Sequence, residues 1–140
     1  MSSMKKRMIK GMVRWSVLPA DCILNSCIIN IYKEGDYIPP HIDHHDFVRP
    51  FCIFMSKGNI IFGKEIYFVG LSEFRGSVTI PLPVGSVLIL KGNGADLAKH
   101  YIPRVPWHKV LVTLRRMDHS KIPYGFQSDL ELEELRLYEL

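Results

Sequence analysis

The sequence predicts a mainly β protein of one domain, built as a barrel, a sandwich or a jelly roll. Three observations point there. Between Val13 and Met117 the apolar residues come in short runs rich in Ile, Val and Phe; Gly, Pro and Asn punctuate the runs; and no long helical period interrupts them. A chain of 140 residues with 47% hydrophobic content can bury one ordinary core, and nothing in that length calls for a second complete domain. Strand pattern alone does not choose among closed and two-sheet β architectures.

Taken in order, segment 1–14 is basic: Lys5, Lys6, Arg7, Lys10 and Arg14 all precede the first acid, Asp21, within a net charge of +4. Such a run can meet phosphate. The body, 15–126, carries predicted strands at Cys27–Tyr32, Pro40–Asp43, Phe51–Met55, Ile60–Phe62, Ile66–Val69, Ser77–Pro81, Ser86–Lys91, Lys99–Ile102 and Val110–Arg115. The tail, 127–140, sets Leu130, Leu132, Leu135, Leu137 and Leu140 among Asp129, Glu131, Glu133, Glu134 and Glu139. That pattern suits a short amphipathic helix packing on the body or on a protein partner. Short helical segments are therefore expected to flank the β body at the termini.

No stretch approaches the roughly 18 uninterrupted apolar residues of a membrane span. Cys22, Cys27 and Cys52 are odd in number and lack CxxC spacing, so they read as buried thiols rather than a disulfide framework or a zinc site. A soluble, intracellular monomer with no membrane partner is expected, and no targeting signal decides between nucleus and cytoplasm.

His41 and Asp43, at i and i+2 of a strand, project an imidazole and a carboxylate toward one point. His100, opening a later strand after the Gly92-Asn93-Gly94 turn, supplies a third ligand. Two histidines and one carboxylate on one side of a metal leave positions open for oxygen chemistry. On the last predicted strand, alternation puts Lys109, Leu111, Thr113 and Arg115 on one face and Val110, Val112 and Leu114 on the other. Two cations then face the metal pocket, where a dicarboxylic cosubstrate needs a fixed positive charge. Asn30 and Tyr32 share a face of the first strand and offer an amide and a phenol to the same ligand. Each of these residues alone has a blander reading, as a strand-end cation, a sheet-edge pair or a surface histidine. Their joint order and phase, in a place where unpartnered polar groups are costly, mark a site.

Asn30-Ile-Tyr32, Ile38-Pro-Pro-His41-Ile-Asp43-His-His-Asp-Phe47 and Arg49-Pro50-Phe51 resemble the AlkB-like demethylases. Ile80 to Leu90, Gly92 to His100 and Leu114-Arg-Arg-Met-Asp118 resemble the plant branch of that family, and the likeness runs from about Met12 to Phe126. The resemblance implies a double-stranded β-helix (jelly-roll) core and a dioxygenase that uses iron(II), 2-oxoglutarate and O2. In it His41, Asp43 and His100 bind iron, and Asn30, Tyr32, Lys109 and Arg115 bind 2-oxoglutarate. It further implies oxidative removal of a methyl group from a base in single-stranded RNA, N6-methyladenosine in mRNA first among the marks, with His44, His45 and Phe47 at the rim that meets the base. Phe47 has a core-packing alternative.

Three departures from the family pattern accompany the resemblance. Lys109 stands where members carry an arginine, Phe51 to Gly58 is two residues shorter than the equivalent strand, and little precedes the barrel, as in an N-terminally truncated paralogue. Lysine keeps the charge and loses the fork, so weakened 2-oxoglutarate binding is expected. Two other functions follow from the same residues: a catalytically weakened RNA-binding or regulatory module, and a jelly-roll scaffold holding zinc or no metal.

Overall fold

The computed structural model describes residues 3–19, 22–70 and 73–127. Helix α1 (Ser3–Arg14) is followed by β1 (Ser26–Tyr32), β2 (Ile38–His41), β3 (Phe47–Met55), β4 (Gly58–Gly63) and β5 (Tyr67–Gly70). Then come β6 (Glu73–Arg75), β7 (Val78–Leu82), β8 (Val87–Leu90), the short helix α2 (Asn93–Asp96), β9 (Lys99–Ile102) and β10 (Lys109–Met117). A single 3-10 turn, His119–Lys121, follows β10.

Two four-stranded antiparallel sheets form, in the orders β1-β10-β3-β8 and β2-β9-β4-β7, with β5 and β6 as a separate hairpin. Set that hairpin aside, and successive strands cross from one sheet to the other except where β4 passes to its neighbour β7. This is the double-stranded β-helix, or jelly roll. Strand alternation builds its interior: Phe51, Ile53 and Met55 of β3, Leu90 of β8 and Leu111 of β10 meet Ile60 of β4, Leu82 of β7 and Ile102 of β9 in one buried cluster.

The opposite phase of β3 and β10 builds a second cluster on the outer face of the first sheet. Cys52 and Leu114 pack there with Ile9, Met12 and Val13 of α1 and with Leu18, Ile23 and Leu24. From Ser3 to Arg14 the basic segment is thus a helix whose apolar stripe roofs the sheet, the i, i+3, i+4 spacing of Ile9, Met12 and Val13 matching helical period. Complete burial of a side chain like Ile9 contributes about 1.5–3 kcal/mol. Burial pushes the Cys52 thiol up to about 12, with a smaller push from Cys22.

Several boundaries differ from the sequence reading. β2 stops at His41, so Asp43 lies just beyond the strand rather than on it, and β3 begins earlier, at Phe47. Helix α2 replaces the simple turn expected at Gly92-Asn93-Gly94; Gly92, at φ 55°, turns the chain so that its carbonyl accepts from the amides of Ala95 and Asp96. Strand β6 was not expected because Glu73–Arg75 has no apolar run, and its pairing with β5 creates it. The leucine-rich tail expected as a helix lies outside the described residues. No helix among the described residues is long and apolar enough to cross a membrane.

Candidate metal centre

Antiparallel register makes His41 of β2 and His100 of β9 direct partners, which brings together two residues from distant parts of the chain. The same strand β9 pairs His100 with Phe62 of β4 on its other side. Next to Phe62 the backbones of Gly63 and Gly76 approach so closely that side chains are excluded. A Cβ on Gly76 would lie 2.7 Å from Ile61 Cγ2 and 2.8 Å from the Phe62 carbonyl oxygen. That close approach seats the wall behind His100.

Asp43 completes the group. Its Oδ1 lies 3.2 Å from His41 Nε2 and 3.4 Å from His100 Nε2, and the imidazole centroids are 4.3 Å apart. One ligand atom from each of the three residues lies within 4.8 Å of the others, so the group can hold a metal ion. His41 Nδ1 sits 2.8 Å from the Pro39 carbonyl oxygen; donating there leaves the Nε2 lone pair aimed at the centre. His100 is 2% exposed, and its Nδ1 is buried without a hydrogen-bond partner among the described residues. Burial alone would raise the Asp43 carboxyl, but hydrogen bonds and charge from His100 and His41 hold it well below the usual carboxylate range. The Asp43 hydrogen bond in turn raises His41 against the opposing effect of burial. Two imidazoles and an ionised carboxylate, converging from one side, fit a non-haem iron(II) centre in donor type and number.

A cavity of about 160 Å³ opens beneath this group, lined by Asn30, Tyr32, Thr113 and Arg115 together with Ile28, Ile53 and Leu111. The register of β1 on β10 explains the lining. Ile28 faces Thr113, Asn30 faces Leu111 and Tyr32 faces Lys109, so alternate residues of both strands share the inner face. Arg115 stands at the metal end, 8% exposed, with Nη1 3.5 Å from Asp43 Oδ2 and its guanidinium 3.6 Å above the Phe47 ring. Burial lowers the Arg115 guanidinium, and Asp43 counters it. Phe47 is therefore engaged from one side by Arg115, while His44 and His45 are exposed.

Lys109 keeps the inward phase expected of it, but its tip does not reach the cavity. It is 1% exposed, but it does not line the cavity. Its ammonium donates to the carbonyls of Asp36 at 2.7 Å and Pro103 at 3.0 Å, and lies 5.5 Å from the Tyr32 ring centroid. Burial lowers its affinity for the proton, with a smaller opposing pull from Asp36. Burial also raises the Tyr32 phenol, and Asp36 adds to that.

One further residue beside the group carried no periodic signal. Arg49 donates from Nη2 to the Asp43 carbonyl at 2.7 Å, from Nη1 to the Phe47 and His44 carbonyls at 2.6 and 3.1 Å, and from Nε to Asp96 Oδ1 at 2.9 Å. It stands in the quoted Arg-Pro-Phe motif, and only the motif could have singled it out.

The chain is 52% identical over 130 residues to the RNA demethylase ALKBH9B of Arabidopsis thaliana, covering 91% of this chain and 26% of that protein. RNA demethylase ALKBH10B of the same plant is 29% identical over 78% of this chain and 19% of its own length. RNA demethylase ALKBH5 of Bos taurus is 33% identical over 67% of this chain and 24% of its own length. The chain thus spans about a quarter of the length of the curated relatives it matches. No family model matches it. Among solved structures, an RmlC-like cupin protein from Desulfovibrio desulfuricans superposes with a TM-score of 0.40 at 22% identity, covering 67% of this chain and 77% of that one. Through its matched residues, with 52% identity to a plant protein against 33% to an animal one, this chain belongs to the AlkB-like family, in its plant branch.

Proposed function

We propose that this chain is the iron(II)- and 2-oxoglutarate-dependent core of an RNA demethylase acting on N-methylated bases, with N6-methyladenosine in mRNA as the preferred mark. The observation that carries this reading is the convergence of His41, Asp43 and His100 at the head of a cavity that also presents Asn30, Tyr32 and Arg115. It occurs in a chain half identical to a plant protein named as an RNA demethylase.

In this reading His41, Asp43 and His100 are the catalytic metal ligands. Asn30, Tyr32 and Arg115 line the space for 2-oxoglutarate, and Lys109 stands behind Tyr32 at its far end. Bound there, iron with O2 supplies the oxidation of the N-methyl carbon, 2-oxoglutarate leaving as succinate and carbon dioxide and the methyl group as formaldehyde. Arg115 sets its guanidinium beside Asp43 and lines the cavity on that side. The target base must leave its stack to reach the centre, so single-stranded RNA is the substrate, passing the exposed His44 and His45. The cations of α1 add salt-sensitive affinity for its backbone. With mRNA as substrate the protein would act in the nucleus or the cytoplasm, as a monomer in this reading, and the acidic, leucine-rich composition of segment 127–140 suits contact with a protein partner.

Anaerobic titration with iron(II) and 2-oxoglutarate tests this directly, because a 2-oxo acid chelating iron in such a site gives a weak visible band. The band should form in the parent and vanish in His100→Ala, and formaldehyde release from methylated single-stranded RNA should follow it. A folded protein that gives no band would sink the reading.

A second reading, a catalytically weakened RNA-binding module, is favoured by one observation. The Lys109 ammonium is already committed to two backbone carbonyls. RNA binding that survives His41→Ala, in a parent with no turnover, would select it.

A further inference from the structure

The two ligand-bearing parts of the metal centre are separate in sequence. His41 and Asp43 come from the end of β2 and the segment beyond it, and His100 comes from β9, which follows α2. The strand ladder pairs the two histidines, yet its register shifts between Ile38 and His41, and Asp43 lies past the end of β2. Something other than the ladder must hold Asp43 at the common point.

The geometry points to Arg49, and we propose it as the positioning residue that sets the ligand segments against each other. The proposal rests on His41, Asp43 and His100 being a metal site. A single guanidinium takes the Asp43, His44 and Phe47 carbonyls on its two terminal nitrogens and gives its Nε to Asp96. The first three contacts shape the loop that carries Asp43. The fourth reaches α2, the element that leads into β9 and His100. The Arg49 side chain is 12% exposed and lies 5.4 Å from the centroid of the fully buried Phe51 ring, so the hub sits on the core rather than in solvent. Asp96, 46% exposed, is its outer partner.

Only arginine offers donors from several nitrogens in one rigid plane; lysine keeps the charge but donates from one point and cannot span four acceptors. Groups that orient metal ligands without touching the metal alter affinity by about 10- to 100-fold when lost. Arg49 acts through backbone carbonyls rather than a ligand ring, but the consequence is the same in kind: Asp43 loses its fixed place.

Cobalt(II) binding to the full chain, read by visible absorption and by titration, tests the assignment beside thermal melting. Arg49→Lys should bind cobalt about 10- to 100-fold more weakly and change the band shape. Asp96→Asn should show a smaller loss, and the double variant should be no weaker than Arg49→Lys alone, because the two share one contact. Ile9→Ala, a core change remote from the site, controls for general destabilisation and should keep parental affinity at a comparable loss of melting temperature. Arg49→Lys binding as the parent does, or Ile9→Ala losing cobalt equally, would overturn the positioning role while leaving the metal centre intact. A parent that binds no divalent metal would remove the metal centre itself, and this proposal with it. Should Arg49→Lys fail to fold, Asp96→Asn alone decides: parental affinity there overturns the coupling between segments.

Discussion

Lys109 and Arg115 stand on the same inner face of β10, and both are nearly fully buried cations. At one end of the strand the guanidinium meets a carboxylate and an aromatic face, Asp43 and Phe47, and lines the cavity. At the other end the ammonium turns to the carbonyls of Asp36 and Pro103 and ties the β1–β2 and β9–β10 loops together. Phase along a strand sets which face a residue takes. The acceptors within reach of its tip set what the charge does.

The sharpest way to break this contrast is to remove a ligand at the metal end. His100→Ala should abolish the thermal stabilisation that added cobalt(II) or iron(II) confers, whereas Lys109→Met should retain it; equal losses would mean that the two ends are not functionally distinct. Next in size, Arg115→Met takes the guanidinium from Asp43, which keeps His41 and His100, and should cost about 2 kcal/mol in denaturant unfolding, the usual magnitude for a hydrogen bond to a charged group. Lys109→Met takes the donor from two part-buried carbonyls, for which about 1 kcal/mol is expected in the same experiment. A cost near zero would show that the loops do not depend on the clasp.

Smaller again is the effect of restoring the fork. Lys109→Arg should tighten 2-oxoglutarate binding by up to about tenfold, one added charge-assisted hydrogen bond, as read from the iron-dependent visible band. Unchanged affinity would assign the far end of the cavity to Tyr32 and Asn30. The back of the same sheet supplies the mildest test. Cys52 pairs with Leu114 of β10 and is fully buried, with its thiol pushed up to about 12, so at pH 8 it stays protonated. The folded protein should therefore be alkylated at half-buried Cys27 well before Cys52, and equal rates by peptide mass mapping would show that the α1 roof opens readily.

Much of the fold was legible because strands announce themselves locally. Phe51, Ile53 and Met55 alternate with Cys52 and Phe54, and that alternation alone predicts two faces, each of which found a cluster. The choice of a jelly roll over a sandwich or barrel came from the motif resemblance, since strand pattern does not encode sheet order. The candidate metal group was legible as a motif, His41 and Asp43 close together and His100 beyond. Even there the physical reason differed in part: Asp43 reaches the centre from beyond the end of β2, not as the second inward residue of a continuous strand.

What the sequence by itself determined was residue chemistry and phase: two imidazoles and a carboxylate in order, and Lys109 and Arg115 on one face of β10. Those are properties of residues a few positions apart, governed by the two-residue period of an extended chain. Only the tertiary structure decided the partners. Arg49 finds Asp96 across 47 positions, and Lys109 finds the Asp36 carbonyl across 73. Long side chains take up whichever acceptors the assembled sheets bring within reach, because a largely buried charge left without partners is costly, and those acceptors come together only when the jelly roll closes.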